Sequence, residues 1–408
     1  MKSREVRSVR AVNLLSQNWK EIPLRRSTIL FALVAVFGWD YSFAQGQNDY
    51  TMPASGVVTV AAEGGHIFQA KINGQGPFKL LFDTGSSNLL SASFARHLGL
   101  PLEGNVKIGA GGGTLEGQTA HVDTLQIGDL VLRNQTFYVI DVPWDPSDPQ
   151  VGAIGYEVMM RLAVKIDFEE QKLTFYREPP FKYSGTGVEL PLLLQDRIFE
   201  VDAKLDGVNG RFQLDTGNQF GFDLDPGFVK QNGMIKRLGA RYHGYAGRGY
   251  GGPLPEAYYA RVKTLRLGDT EVNDVVAYLH TRKPAAGELA GNIGQSILRQ
   301  FNETFDAPRG KLYLEKNGNW GKRGVFNRAG IVIDPVEQGQ RIMTVLPGGP
   351  GETAGLKAGD VITAIDGHVP EDDPNEPSFL QAEGTVVRLT VKKGDAVRKV
   401  DVKLKDLF

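Results

Sequence analysis

The chain has 408 residues, enough for two to four domains, and its 41% apolar and 23% charged residues are the balance of a globular protein. A formal net charge of −1 leaves no electrostatic footprint for nucleic acid, and the lack of cysteine excludes disulfides, thiol catalysis and cysteine-held metal. Fifty glycines and 21 prolines point to many short strands joined by tight turns.

Residues 1–44 have the order of a Sec signal peptide. A basic stretch ends at Leu24-Arg25-Arg26, an apolar run follows from Ile29 to Phe37, and Ser42-Phe43-Ala44 precedes Gln45. The expectation is cleavage, a periplasmic or secreted product, and no stable membrane span afterwards. The other reading is an uncleaved anchor, but the run falls short of the roughly 20 residues that cross a bilayer.

After the leader the sequence repeats itself. The first copy opens with Phe68–Gly74, a turn, and a second apolar run, Phe78-Lys79-Leu80-Leu81-Phe82, that ends in Asp83-Thr84-Gly85. The second copy opens with Phe199–Gly207 and runs through Arg211-Phe212-Gln213-Leu214 into Asp215-Thr216-Gly217. Each copy then has a short helical candidate, Ser93–Leu98 and Pro226–Gln231, and a glycine-rich hairpin, Gly109–Gly113 and Gly244–Gly252. Leu125-Gln126-Ile127-Gly128-Asp129 is matched by Leu265-Arg266-Leu267-Gly268-Asp269. A second glycine signature follows, Gly152-Ala153-Ile154-Gly155 and Gly291-Asn292-Ile293-Gly294, and a terminal hairpin closes each copy. Gly155 lies 72 residues after Asp83, and Gly294 lies 79 after Asp215. Such agreement in order and spacing implies duplicated lobes, at 56–180 and 188–316, with a linker near Glu178–Gly187.

One Asp-Thr-Gly could be no more than a turn, since Asp and Gly favour turns for backbone reasons alone. Two at matched positions imply more. Two-fold packing of the lobes brings the carboxylates together, where they cannot both ionise and must share a proton. The ionised member then takes a proton from water while the other donates to a carbonyl oxygen. Phe82-Asp83-Thr84-Gly85-Ser86-Ser87 and Leu214-Asp215-Thr216-Gly217-Asn218 resemble the active-site motifs of pepsin- and retropepsin-like aspartic proteases. Ala153-Ile154-Gly155 and Asn292-Ile293-Gly294 fall where that family has a hydrophobic-hydrophobic-Gly motif. The resemblance implies a mainly β fold with two retropepsin-like β-barrel lobes related by pseudo-two-fold symmetry. It implies catalytic Asp83 and Asp215, with support from Thr84, Gly85, Ser86, Thr216, Gly217 and Asn218. The glycine-rich hairpins stand as flap candidates through Gly111, Gly112, Gly113, Tyr245 and Tyr250. The sequence departs from the family at Asn218, where Ser or Thr is usual, and at Asn292, a polar residue in an apolar place.

Other motifs fall away. Gly247–Gly252 fits G-x-G-x-x-G, but Pro253 follows it and no helix pattern does. The six histidines form no metal-ligand spacing and read as surface or packing residues, so neither metal nor cofactor is expected. From residue 324 to 408 the pattern changes: two strands, Ile331–Ile333 and Arg341–Val345, precede Gly355-Leu356-Lys357-Ala358-Gly359-Asp360-Val361-Ile362 and a tight Asp366-Gly367 turn. This segment resembles a bacterial PDZ domain. The resemblance implies a groove helix at Pro377–Gln381, a carboxylate held by amides of Ala329, Gly330 and Ile331, and a groove lined by Ile331 and Ile333. Such domains take peptide C-termini by strand addition.

The leading expectation is an exported aspartic endopeptidase acting on peptide or protein substrates, with protein C-termini as partners of the PDZ domain. The alternative is a catalytically inactive peptide-binding pseudoprotease or PDZ adaptor, which Asn218 and Asn292 would favour. A glycosidase built on the two carboxylates would need a carboxylate separation and pocket that the sequence does not indicate.

Overall fold

In a computed structural model, residues 34–36, 49–141, 150–219, 221–282, 289–370 and 376–408 are described. The leader read from the sequence lies outside the described residues, Val34–Val36 excepted.

The fold is mainly β, two barrel-like lobes followed by a PDZ domain. Its base is a six-strand run to which each lobe gives three strands. The order is Val57–Glu63, Lys172–Arg177, Leu162–Asp167, then Phe301–Asp306, Lys311–Lys316, Val188–Pro191. The lobes meet at its centre, where Lys165 pairs antiparallel with Thr304. This is the pseudo-two-fold relation that the duplication implies. One continuous core joins the lobes, with Phe82 and Phe175 from the first and Phe199 and Phe305 from the second. Alternating side chains build it: Ile67–Ile72 buries Phe68, Ala70 and Ile72 and exposes Gln69 and Lys71.

Above the base, each lobe makes the same crossing. Strand Gln75–Phe82 pairs parallel with Gln150–Ile154, and Val208–Leu214 pairs parallel with Gly291–Ile293. The second glycine signature of each copy is thereby laid against the strand that ends in its Asp. The helix expected at Ser93–Leu98 spans Ala92–His97, started one residue earlier because the Ser91 hydroxyl caps the Phe94 N–H at 3.2 Å. The second helix is Pro226–Gln231, as its proline start indicates.

The PDZ segment forms a five-stranded sheet around its own core of Ile331, Ile333, Ile362, Phe379, Leu389 and neighbours. The groove helix expected at Pro377–Gln381 is only a 3-10 turn, Pro377–Phe379. Glu376 caps it through the Ser378 N–H, and Phe379 is driven into the core, which leaves no face for a longer helix to pack.

Candidate active site

Both Asp-Thr-Gly turns sit where a buried strand runs out. Asp83 N–H donates to Ile154 O at 2.9 Å, and Asp215 N–H donates to Ile293 O at 3.0 Å. Gly155 and Gly294 allow this closeness. A Cβ on Gly155 would lie 2.1 Å from Asp83 O, and one on Gly294 would lie 2.5 Å from Asn218 O.

The threonines brace the turns against one another. Thr84 N–H donates to Thr216 Oγ1 at 3.1 Å, and Thr216 N–H to Thr84 Oγ1 at 3.0 Å. Each hydroxyl also donates across the axis, Thr84 to Leu214 O at 3.0 Å and Thr216 to Phe82 O at 2.8 Å. Both threonines are fully buried, so all four bonds are shielded from water. Gly85 and Gly217 leave room for the carboxyls: a Cβ on either would come 2.5 Å from the opposite aspartate.

The Asp83 and Asp215 carboxyls are 2% and 0% exposed and hydrogen-bond to each other. Burial raises the pKa of both, and the charge of Asp83 raises Asp215 further. Donors oppose this. Asp83 Oδ1 accepts Gly85 N–H at 2.9 Å, which pulls its pKa down. Asp215 Oδ1 accepts the N–H groups of Gly217 at 2.9 Å and Asn218 at 3.0 Å. The pair therefore shares one proton over a range of pH.

The two departures noted in the sequence are neighbours in space. The Asn218 amide does not reach Asp215. Its Nδ2 donates to Asp223 Oδ2 at 2.8 Å and to Asn292 Oδ1 at 3.2 Å. Asn292 Nδ2 in turn donates to Asp215 Oδ2 at 2.7 Å. Asn292 thus supplies the side-chain donor to Asp215. A polar residue at an apolar place of a repeat was the signal for it.

Two of the histidines read as surface or packing residues are buried beside this network. His280 Nε2 bonds Asp223 Oδ1 at 2.8 Å; burial opposes its charge, but Asp223 outweighs burial and its pKa rises. His66 is packed under the second turn, with Nδ1 on Gly64 O and Nε2 accepting from Gln295 Nε2, both at 2.8 Å. Burial lowers its pKa to about 4.

The two hairpins meet over the dyad through their tips. Gly251 N–H donates to Gly111 O at 2.9 Å, and a Cβ on Gly112 would be 2.2 Å from Gly252 O. Gly113 lies against Gly251 in the same contact. Tyr250 packs on a buried apolar cluster of the first lobe, near enough to Asp83 that, with burial as the main cause, its phenol pKa is raised. Tyr245 does not face the dyad. The hairpin base lies hard against the PDZ sheet, a Cβ on Gly244 meeting Thr344 at 2.5 Å, and Tyr245 N–H donates to Thr344 Oγ1 at 3.0 Å.

At the PDZ strand, the amides of Ala329 and Gly330 are already bonded, to Asn327 Oδ1 at 3.0 Å and Asn327 O at 3.1 Å. Ile331 and Ile333 are 0% and 1% exposed and belong to the domain core rather than to an open groove.

Comparison with known families agrees with this architecture. Residues 68–158, most of the first lobe with its Asp-Thr-Gly and glycine signature, match the family model described as aspartyl protease. Residues 341–393 match a PDZ domain model. Among solved structures, the aspartic proteinase from Irpex lacteus is similar at 15% identity with a TM-score of 0.44, over 64% of this chain and 98% of that one. No curated protein matches the chain. The chain carries an aspartyl protease-like domain followed by a PDZ domain.

Proposed function

We propose that the protein is an exported aspartic-type endopeptidase that hydrolyses peptide bonds through Asp83, Asp215 and one water. The observation that carries this reading is the contact of the two buried carboxyls, cross-braced by Thr84 and Thr216 beneath closed hairpin tips. Water oxygen adds to the scissile carbonyl carbon and its proton passes to the ionised carboxylate, while the protonated carboxyl gives its proton to the carbonyl oxygen. The C–N bond of the resulting gem-diol breaks as a proton passes to nitrogen. An acid and an amine leave, and the pair again holds one proton. The PDZ domain selects or regulates substrates, and the leader directs export.

Asn292 weighs against the inactive alternative, because its side-chain amide gives Asp215 Oδ2 a donor in addition to the backbone N–H groups of Gly217 and Asn218. The test is cleavage of a peptide library by the chain beginning at Gln45. Asp83→Asn and Asp215→Asn should each abolish cleavage while leaving the thermal transition in place. Undiminished cleavage in either variant would sink the mechanism. Export is tested separately, by the N-terminal residue of the protein recovered outside the cytoplasm.

A further inference from the structure

The lobes place opposite chemistry at equivalent positions beside the dyad. In the first lobe one line of register partners runs Ile67, Leu81, Ala153, Leu89, Tyr138. The equivalent line in the second lobe runs Glu200, Gln213, Asn292, Asp223, Tyr278. Register partners share one face of a sheet. Leu81 lies between Leu80 and Phe82, which belong to the main core, so its line occupies the other face, toward the hairpins.

On the first lobe that face is apolar. Leu81, Leu89 and Ala153 form a buried cluster with Ile108 and Ile140, and Tyr250 from the opposite lobe's hairpin packs on it. The cluster thus already holds one aromatic side chain of the chain itself. On the second lobe the first four positions of the line, Glu200, Gln213, Asn292 and Asp223, are polar, and only Tyr278 at its end joins an apolar cluster. Asn292 and Asp223 are tied to Asp215, Asn218 and His280, and Gln213 Nε2 reaches Gly85 O at 3.4 Å. Glu200 is 3% exposed, and its Oε2 has no hydrogen-bond partner among the described residues, with Arg211 Nε 3.9 Å away.

We infer, on the strength of the proteolytic reading above, that the cleft reads two different side chains: an apolar or aromatic residue over the first lobe, and over the second a polar, donor-bearing residue, basic ahead of acidic, on the other side of the scissile bond. An apolar side chain laid over this face would cover the unpartnered Glu200 Oε2 without satisfying it. An acidic one would meet Asp223, Glu200 and the single negative charge of the dyad.

The experiment is a position-scanned peptide library digested by the chain from Gln45, with products sequenced by mass spectrometry. The expected result is an apolar or aromatic residue on one side of the cut and Lys, Arg, Gln or Asn on the other, favoured over apolar residues by about tenfold or more in kcat/KM. Gln213→Leu, which installs the first lobe's counterpart, should move the polar side toward apolar residues by about tenfold. Leu81→Gln should shift the opposite side the other way, and it carries the test if Gln213→Leu does not fold. Apolar preference on both sides, in cleavage that Asp83→Asn abolishes, overturns this inference and leaves the proteolytic reading standing. A folded wild-type chain that cleaves nothing, or cleavage that persists in Asp83→Asn, overturns both.

Discussion

Asn292 shows how one side chain can set the chemistry of a symmetric pair. Its Oδ1 accepts from Asn218, which fixes the amide so that Nδ2 faces Asp215. The first lobe has Ala153 at this position, which has no donor to offer Asp83. A donor to a carboxylate stabilises its ionised form, so Asn292→Ala should raise the apparent pKa values of the pair. With about 1.5–3 kcal/mol for such a bond, the acidic limb of the kcat/KM profile should move up by about one to two pH units. An unmoved limb in a variant that keeps its thermal transition would remove Asn292 from the dyad. His66 sets a second pH dependence, on stability rather than rate. Its folded pKa of about 4 lies below the unfolded value of 6.5, so the unfolded chain binds more protons between them. The stability gained from the neutral ring is complete above pH 6.5 and is lost as pH falls toward 4, by about 3 kcal/mol. His66→Gln should flatten that loss, and denaturant midpoints measured between pH 4 and 7 check it. The Asp-Thr-Gly turns were legible in the sequence because they need fixed residues in a row. Asn292 was legible only as a polar residue in an apolar place, and its contact with Asp215 and that of His66 with Gln295 were not, since the partners lie 77 and 229 residues apart.

At the scale of elements, period-two alternation and glycine turns made the strands readable, and the duplication gave their order. The hairpin turns at Gly128 and Gly268, both in the left-handed region at φ +55° and +57°, fall where the repeated Leu-x-Ile/Leu-Gly-Asp motif places them. What the sequence could not convey was where each flap residue points. The first hairpin is a long ladder, Leu102–Ala110 paired with Gly113–Ala120 and broken by one register shift between Glu103 and Val106. The second is interrupted, with only Arg248–Gly249 paired to Gly252–Pro253 at its tip. Contact with the PDZ sheet, not local propensity, turns Tyr245 away from the dyad and leaves Tyr250 over it. The PDZ turn at Pro377–Phe379 shortened for a comparable reason, because Phe379 is claimed by the domain core. The tip contact itself is testable. Gly112 has φ +91°, and any Cβ there would meet Gly252 O at 2.2 Å, so Gly112→Val forces the tips apart. Since the change touches only the cover of the site, kcat/KM should fall by about tenfold or more with little change in thermal stability. Equal activity in Gly112→Val would show that the hairpins need not meet during turnover.

Across the whole molecule, the segment 324–408, read from the sequence as a PDZ domain, folds around its own core and also packs against the second lobe. An apolar seam of Ala246, Ala257, Tyr259, Val276 and Tyr278 from the lobe meets Phe326, Val332, Leu346 and Phe408 from the PDZ side. Phe408 stands edge-on to Tyr242 at 5.6 Å and to Phe326 at 5.3 Å, and Arg323 Nη2 holds its carbonyl at 3.1 Å. The ion pair Arg248–Asp334, at 3.3 Å, is half exposed on the arginine side and adds about 1 kcal/mol at most, beside the hydrogen bond from Tyr245 N–H to Thr344 Oγ1. The seam is therefore what joins the two parts. Removing 324–408 should uncover large aromatic and aliphatic surface and cost the lobes a few kcal/mol at about 25 cal/mol per Å². A fall of about 5–10 °C in Tm follows for a body of this size, together with dye binding to the uncovered surface. Asp334→Ala alone should change Tm by less than about 2 °C. The same truncation releases the base of the second hairpin from Thr344, so peptide cleavage should weaken even at temperatures where the shortened chain remains folded. An unchanged Tm with undiminished cleavage would mean that the two parts only touch, and that the PDZ domain acts on substrates without bearing on the flap.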